Sequence, residues 1–107
     1  MQRGEIFRLR TPRAARGNEQ VGARYGVVLQ ADELLALSTV IIAPTSSRAL
    51  AASFRPEIEV EGLRTRVLVE QIGAVDPSRL GESHGLLPRE DIHEIDRALA
   101  IVLGLTD

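Results

Sequence analysis

The sequence of residues 17–29 is GNEQVGARYGVVL, in which a polar segment containing Gly17 and Gly22 runs directly into an apolar one. Glycine and polar residues without an apolar period are typical of a loop, whereas the aliphatic residues after Arg24 are typical of a buried strand. Residues 39–47, TVIIAPTSS, have the reverse order, since a β-branched run ends in three hydroxyl side chains. An arginine at the start of one strand and hydroxyls at the end of another are suited to holding a phosphate group.

Short strand-like runs recur along the rest of the chain. Residues 57–61, EIEVE, alternate between glutamate and β-branched residues, which predicts a strand with one exposed and one buried face. Gly62 is expected to form a turn. Pro44 is expected to end the strand formed by residues 39–43. The predicted strands are residues 4–9, 25–30, 39–43, 57–61, 65–69 and 71–75, with a short edge strand at 83–87.

A single helix is predicted after these strands. Pro88 suits a first helical position, and Gly104 is expected to end the helix. Between them, apolar residues recur at spacings of three and four and form one stripe, at positions 92, 95, 99 and 102. Residues 12–23 are predicted as a long loop, residues 32–37 fit either one helical turn or a bent connection, and residues 49–52 are an ambiguous connector. The whole pattern predicts a mainly β fold, a small and strongly curved antiparallel sheet or partly open barrel crossed by a C-terminal helix.

Length and composition limit the classes of function. The chain has 107 residues, which suits a single domain spanning residues 1–107. Cysteine is absent, so the chain has no disulfide, no thiolate metal site and no cysteine nucleophile. Aromatic residues make up only 3%, which argues against a stacking platform for single-stranded nucleic acid. Neither a signal peptide nor an apolar run of membrane-spanning length is evident, so we expect a cytoplasmic protein.

The net charge of −2 conceals an uneven distribution of charge. Residues 1–24 carry six arginines and two glutamates, whereas residues 76–107 carry seven acidic residues and three arginines. All thirteen basic residues are arginine, whose planar fork of donors suits phosphate, although a codon bias towards arginine accounts for the absence of lysine equally well. The local excess of positive charge in the first 24 residues is the better indication of an anionic partner.

Five motifs occur in order over nearly the whole chain. They are RGEIF at residues 3–7, GNEQVGAR at 17–24, TVIIAPTSS at 39–47, VEQIGAVD at 69–76, and a closing helix that ends in LGL at 103–105. In this order and spacing they resemble the MazF/PemK family of toxin endoribonucleases from toxin–antitoxin modules.

That resemblance implies an SH3-like barrel of the CcdB/MazF type, a homodimer, and sequence-selective cleavage of single-stranded RNA such as mRNA. Cleavage would use the 2′-hydroxyl of the RNA and leave a 2′,3′-cyclic phosphate and a 5′-hydroxyl, with no metal and no cofactor. It also implies a MazE-like antitoxin whose acidic tail covers the RNA groove.

The resemblance assigns catalysis to Arg24 and to one hydroxyl of the segment after Pro44. Counted without gaps, the family's threonine falls on Ser46, and a slip of one residue would place it on Thr45. Serine keeps the hydroxyl but lacks the methyl group that restricts the threonine rotamer. Tyr25 is a second departure, because the family commonly has proline after the arginine.

Further residues are expected to bind RNA. Arginines of the first loop suit backbone phosphates, and carboxylate and amide side chains suit base edges. The predicted RNA-binding residues are Arg10, Arg13, Arg16, Asn18, Glu19, Gln20, Ser47, Arg48, Glu70 and Gln71.

Simpler interpretations remain open for several of these residues. Arg24 could pair with Glu19 or Glu70, and Glu70 could instead pair with Arg66. The hydroxyls after Pro44 could serve only to form a turn.

Two histidines and one row of glutamates are poorer candidates for chemistry. His84 is predicted in a surface turn and His93 beside the apolar stripe of the helix, and neither has a partner at metal-ligand spacing. The glutamates of residues 57–61 are expected to be a solvated strand face.

Two other functions compete with RNA cleavage. One is a CcdB-like toxin that poisons DNA gyrase without catalysis, although residues 102–107 lack the aromatic side chain that such a contact would favour. The other is an inactive homologue that only binds an antitoxin, which the serine at position 46 leaves open.

Overall fold

The computed structural model describes residues 1–10 and 24–105, so the predicted loop at residues 12–23 lies outside the described residues. Seven strands and one α-helix are present in this part of the chain. They are β1 (Glu5–Leu9), β2 (Tyr25–Val28), β3 (Val40–Ser46), β4 (Glu57–Val60), β5 (Leu63–Val67), β6 (Gly73–Val75), β7 (Leu80–Leu86) and α1 (Arg89–Val102). Short 3₁₀ turns lie at Asp32–Leu34, Val69–Gln71 and Pro77–Arg79.

The seven strands form one antiparallel sheet. Its order is β4-β5-β3-β2-β1-β7, and β6 pairs with β3 beside the main path. The sheet curls into a half-barrel and α1 packs against it, so the predicted mainly β fold with a terminal helix is confirmed. Among the described residues, no helix has the length and apolar character that crossing a bilayer requires.

The strand that contains Pro44 is longer than predicted. The predicted strand ends at residue 43, but β3 continues through Pro44 to Ser46. The partner of β3 changes at this point, because Ile42 pairs with Gly73 of β6 whereas Thr45 pairs with Val67 of β5. Proline lacks a backbone donor, and a change of partner is a position where the ladder can tolerate that loss.

Boundaries also differ around β5 and β6. Residues 65–69 were expected to form one strand and residues 71–75 the next, but β5 ends at Val67 and a 3₁₀ turn at Val69–Gln71 precedes β6. The hairpin between β4 and β5 is as predicted: Ile58 and Val60 are buried, and the turn at Glu61 and Gly62 has positive φ at both residues. The expected short edge strand at 83–87 is the longer strand β7.

Two hydrophobic cores lie on opposite faces of β2 and β3. Successive side chains along a strand point to opposite faces, so Val27 and Ala43 belong to one core and Val28 and Ile42 to the other. We call them the helix-side core, which includes Ile95 of α1, and the outer core. The buried members of the helix-side core are Ile6, Val27, Leu29, Ala43, Ile58, Val60, Val67, Val69, Leu87, Ile95 and Ala98.

Helix α1 begins after Pro88 and is followed by Gly104, whose φ of 69° is accessible to glycine at little cost. The apolar stripe expected at residues 92, 95, 99 and 102 faces the helix-side core, and Ala98 adds a fully buried position to it. Arg3 ties the helix to the sheet, since its Nε donates to the Leu29 carbonyl at 2.7 Å and its guanidinium contacts the Asp96 carboxylate at 2.8 Å.

Candidate functional site

Arg24 is positioned by the two strands on either side of β2. The Leu9 amide donates to the Arg24 carbonyl at 2.8 Å, which fixes the backbone just before β2 begins. On the other side, Gly26 pairs with Pro44. Continuing that antiparallel register two residues further brings Arg24 level with Ser46. The side chain of Arg24 is exposed and forms no salt bridge with another residue of the described ranges.

The faces of β2 and β3 decide which hydroxyl accompanies Arg24. A Cβ atom added to Gly26 would lie 2.9 Å from side-chain atoms of Ile42 and Leu9, so Gly26 faces the outer core. Arg24 precedes Gly26 by two residues and Ser46 follows Ile42 by four, so both lie on that same face. Thr45 lies on the opposite face with Ala43.

Burial separates the two hydroxyl candidates as well. Thr45 is only 3% exposed, whereas Ser46 is half-buried. The Ser46 Oγ accepts a hydrogen bond from the Arg48 amide at 3.2 Å, and both Ser47 and Arg48 are exposed. The expected turn chemistry is therefore present, and it leaves the Ser46 hydroxyl hydrogen available to another acceptor.

Glu70 has a different partner from the two that the sequence suggested. Both Nε and a terminal nitrogen of Arg55 donate to Glu70 Oε2, at 3.1 and 2.7 Å, so neither Arg24 nor Arg66 pairs with this carboxylate. The hydrogen bond from Arg55 lowers the pKa of Glu70 and raises that of Arg55. Glu70 Oε1 is screened from solvent and has no partner among the described residues.

The Arg55–Glu70 pair connects the segment after β3 to the 3₁₀ turn before β6. Arg55 also donates to the Leu50 carbonyl at 3.2 Å and accepts, through its own carbonyl, a hydrogen bond from Arg66 at 3.0 Å. Arg55 is not recognisable from the sequence, because a partner fifteen residues away in an unpatterned segment gives no periodic signal. The next residue after the carboxylate, Gln71, is exposed.

His84 was expected both within the edge strand at 83–87 and in a surface turn; it lies within β7, and its side chain is only 15% exposed. Its Nδ1 is 2.6 Å from Glu61 Oε2, and its ring packs edge-on against Tyr25 with 5.1 Å between ring centroids. His93 is exposed on α1. Within the described ranges, no group of three or more potential ligands is arranged to hold a metal ion.

The remaining predicted RNA-binding residues fall in two groups. Arg10 is described and lies at the end of β1, with its side chain exposed. The others lie outside the described residues: Arg13, Arg16, Asn18, Glu19 and Gln20.

Comparison with known proteins identifies the family. Residues 2–103 match the model of the PemK-like, MazF-like toxins of type II toxin–antitoxin systems. The chain belongs to the PemK/MazF family. Over 104 residues it is 39% identical to the Mycobacterium tuberculosis protein called "Putative toxin Rv3098A", covering 96% of this chain and 97% of that protein. It is therefore a toxin of a toxin–antitoxin system, in the MazF-type endoribonuclease family.

Solved structures of similar proteins have the same fold as this PemK/MazF chain. A mycobacterial endoribonuclease in complex with its cognate antitoxin matches with a TM-score of 0.80 and 17% identity, over 100% of this chain and 98% of that one. MazF in a MazE–MazF complex from Deinococcus radiodurans matches with a TM-score of 0.78 and 26% identity, over 99% and 97% of the two chains. Both support the half-barrel and helix described above.

Proposed function

We propose that this toxin is a metal-independent endoribonuclease that cuts single-stranded RNA by attack of the 2′-hydroxyl on the adjacent phosphate. The products would be a 2′,3′-cyclic phosphate and a 5′-hydroxyl. The observation that supports this proposal is the register of β2 and β3, in which Gly26 pairs with Pro44, because its continuation by two residues would bring Arg24 level with Ser46 on one face. The family match over residues 2–103 includes both positions.

In this proposal, Arg24 stabilises the negative charge that develops on the phosphorane. Its guanidinium can donate to two nonbridging oxygens at once, and no described carboxylate competes for it. Preorganised donors of this kind act most strongly on charge that appears only in the transition state. Charge stabilisation suits Arg24 better than proton transfer, because guanidinium resists deprotonation.

Ser46 supplies the second donor. Its Oγ already accepts a hydrogen bond from the Arg48 amide, so its own hydrogen can be donated to a phosphate oxygen. Thr45 is nearly inaccessible and lies on the other face of β3, so it is a poorer candidate for contact with RNA. Between the two hydroxyls that the sequence left open, we therefore assign the role to Ser46.

Recognition of RNA bases is assigned to the exposed polar residues near this pair. Gln71 is exposed and can both donate and accept, whereas Glu70 Oε2 accepts from Arg55 and Glu70 Oε1 is screened from solvent. Glu70 is therefore better suited to holding the 3₁₀ turn in place than to reading a base. Ser47 and Arg48 remain proposed RNA contacts because both are exposed beside Ser46.

We also propose a MazE-like antitoxin with an acidic tail as a partner, and a homodimer as the assembly. Two of the structurally similar proteins were solved with antitoxins bound, one of them mycobacterial and one from D. radiodurans. A carboxylate-rich tail would compete with RNA for the same guanidinium groups.

The test is cleavage of a long RNA in the presence of EDTA by the wild-type protein and by Arg24→Ala. Loss of one transition-state donor typically lowers the rate ~10²–10³-fold, and we expect at least that loss. Arg97→Ala is the matched control, because Arg97 is an exposed arginine on α1, away from the strands that carry the site.

Three outcomes separate the competing functions. Metal-independent cleavage that needs Arg24 and leaves a cyclic phosphate supports the proposal. Intact RNA together with inhibition of gyrase would indicate a CcdB-like toxin, and intact RNA with antitoxin binding alone would indicate an inactive homologue.

A further inference from the structure

A histidine and a glutamate from opposite edges of the sheet meet beside Tyr25. His84 belongs to β7, and Glu61 lies in the turn that joins β4 to β5. His84 Nδ1 donates to Glu61 Oε2 at 2.6 Å, since an ionised carboxylate can only accept. The imidazole packs edge-on against Tyr25, with 5.1 Å between the ring centroids and 82° between the ring planes. The hydrogen bond therefore fixes the orientation of the ring that contacts Tyr25.

The backbone position of Glu61 does not favour glutamate. Glu61 has φ of 52° and is followed by Gly62 with φ of 79°, so both residues of this two-residue hairpin turn are left-handed. Asparagine and glycine are preferred at the first of these positions, because most other side chains are strained there. The Glu61 side chain is 59% exposed, so burial does not account for it either. The contact with His84 does, since it needs a carboxylate on a side chain of this length.

The environment of His84 suits it to holding a neighbour rather than to transferring protons to RNA. Its Nε2 is screened from solvent and has no hydrogen-bond partner among the described residues. Tyr25, which it contacts, packs on the helix-side core, whereas alternation along the strand places Arg24 on the opposite face. The sheet thus separates the imidazole from the proposed phosphate site, and any effect of His84 on that site passes through Tyr25.

Tyr25 lies at the point of the sheet that carries the proposed catalytic pair. Arg24 directly precedes it, and the register of β2 and β3 continued by one residue places it opposite Thr45, next to Ser46. The Arg24 carbonyl is held from the β1 side by the Leu9 amide at 2.8 Å. Movement of the Tyr25 ring would shift the peptide that joins Tyr25 to Arg24, and with it the base of the Arg24 side chain.

We propose that His84, held by Glu61, positions Arg24 for RNA cleavage by fixing the ring of Tyr25. This inference rests on the proposed nuclease function. A donor stabilises the phosphorane only if it is already in place, and a small misplacement caused by a distant substitution can cost up to ~10²-fold in rate. His84 and Glu61 are positioning residues that do not touch RNA, so their loss should slow the chemical step and leave the affinity for RNA unchanged.

The first test is Glu61→Asn, which separates cleavage from stability. Asparagine suits the left-handed position better but is too short to keep the contact, so the melting temperature should equal or exceed that of the wild type. Single-turnover cleavage at saturating RNA should be about 10-fold slower. Binding of a 2′-O-methyl RNA oligonucleotide, which lacks the nucleophile, should be unchanged. Glu61→Gln keeps the length and an acceptor oxygen and should retain most of the rate, and Glu59→Asn, at an exposed position of β4, is the matched control.

The second test uses His84→Phe and His84→Ala. Phenylalanine keeps a ring beside Tyr25 without the hydrogen bond, whereas alanine removes both, so cleavage should fall further in His84→Ala than in His84→Phe. Hydrogen exchange gives a readout that does not depend on cleavage, because the Leu9 amide donates to the Arg24 carbonyl. In His84→Ala this amide should exchange faster, whereas the Leu29 amide, just beyond the other end of β2, should keep its rate.

The two proposals fail in different ways. Arg24-dependent cleavage by the wild type, with wild-type rates in folded Glu61→Asn and His84→Ala, overturns the positioning role and leaves the nuclease. Slower cleavage that only follows a lower melting temperature, or weaker RNA binding in place of slower cleavage, also overturns it. A wild-type protein that does not cut RNA removes the nuclease, and exchange of the Leu9 amide then decides alone whether His84 positions Arg24.

Discussion

Replacing Ser46 by alanine is expected to lower RNA cleavage ~10²–10³-fold, which corresponds to about 2.7–4 kcal/mol of transition-state stabilisation. The cost in folding should be much smaller. The substitution removes one hydrogen bond, from the exposed Arg48 amide to Ser46 Oγ at 3.2 Å. Because water can replace that acceptor, we expect a loss of about 0.5–1 kcal/mol in the free energy of unfolding.

The comparison that makes this prediction specific is Thr45→Val. Thr45 is 3% exposed and lies on the face of the helix-side core, so bound RNA should not contact it. Valine has nearly the same shape as threonine and lacks only the hydroxyl. The cleavage rate of Thr45→Val should stay near that of the wild type. Ser46→Thr, which restores a methyl group and restricts the rotamer, should cleave at least as fast as the wild type.

The assay is single-turnover cleavage of a long RNA in EDTA, with urea unfolding of each variant as the control for stability. A folded Ser46→Ala that cuts at the wild-type rate, together with an inactive Thr45→Val, would refute the assignment of faces from the β2–β3 register. Loss of activity in both variants with no loss of stability would mean that β3 twists enough to expose both hydroxyls.

Three further predictions concern stability. Glu70→Gln should have a lower free energy of unfolding than the wild type at neutral pH. Because Arg55 lowers the pKa of Glu70, this difference should shrink as pH falls below the carboxyl's ordinary pKa of 4.5. Melting temperature measured against pH tests this, and a difference that grows in acid would contradict it. Ile95→Ala should cost about 2–5 kcal/mol in urea unfolding, since Ile95 is 1% exposed in the helix-side core, and Ile101→Ala, at 45% exposure on the same helix, is its control. Gly4→Ala should also destabilise, because Gly4 has φ of 89° and an added Cβ would lie 2.7 Å from Ile92 Cδ1; thermal melting no lower than that of the wild type would contradict this expectation.

Regular patterning in the sequence was enough to predict the mainly β fold. The alternation at residues 57–61 identified β4 and its buried face, and the turn at Gly62 identified the hairpin. The apolar stripe identified the face of α1 that packs on the sheet. These patterns depend only on residues that are close in sequence, so they can be recognised without knowing which strands pair.

Errors arose where a tertiary contact overrides the local signal. Pro44 would end an isolated strand, yet it is tolerated in β3 because the strand's partner changes there. Glu70 is paired with Arg55 by the path of a connector that has no periodic pattern, so its partner could not be identified from spacing. His84 lies in a polar run that fitted both a surface turn and a short edge strand, and pairing with β1 makes it part of a strand.

The proposed site was predictable only in part. The order of motifs pointed to Arg24 and to two adjacent hydroxyls, but choosing between Thr45 and Ser46 needed the register between β2 and β3. Outside that pair, Arg79 gave no signal at all, although in the folded chain its Nε donates to the carbonyl of Arg10, sixty-nine residues away.

The contact between His84 and Glu61 has a consequence for how the half-barrel opens. Strands β4 and β7 are the two margins of the curled sheet, and Glu61 at the tip of the β4–β5 hairpin reaches across to β7. This contact is made by side chains, so separating the two edge strands there breaks no backbone ladder. It would, however, expose Ile58 and Val60 of β4, which are buried in the helix-side core, so apolar packing as well as the hydrogen bond opposes the opening of the half-barrel.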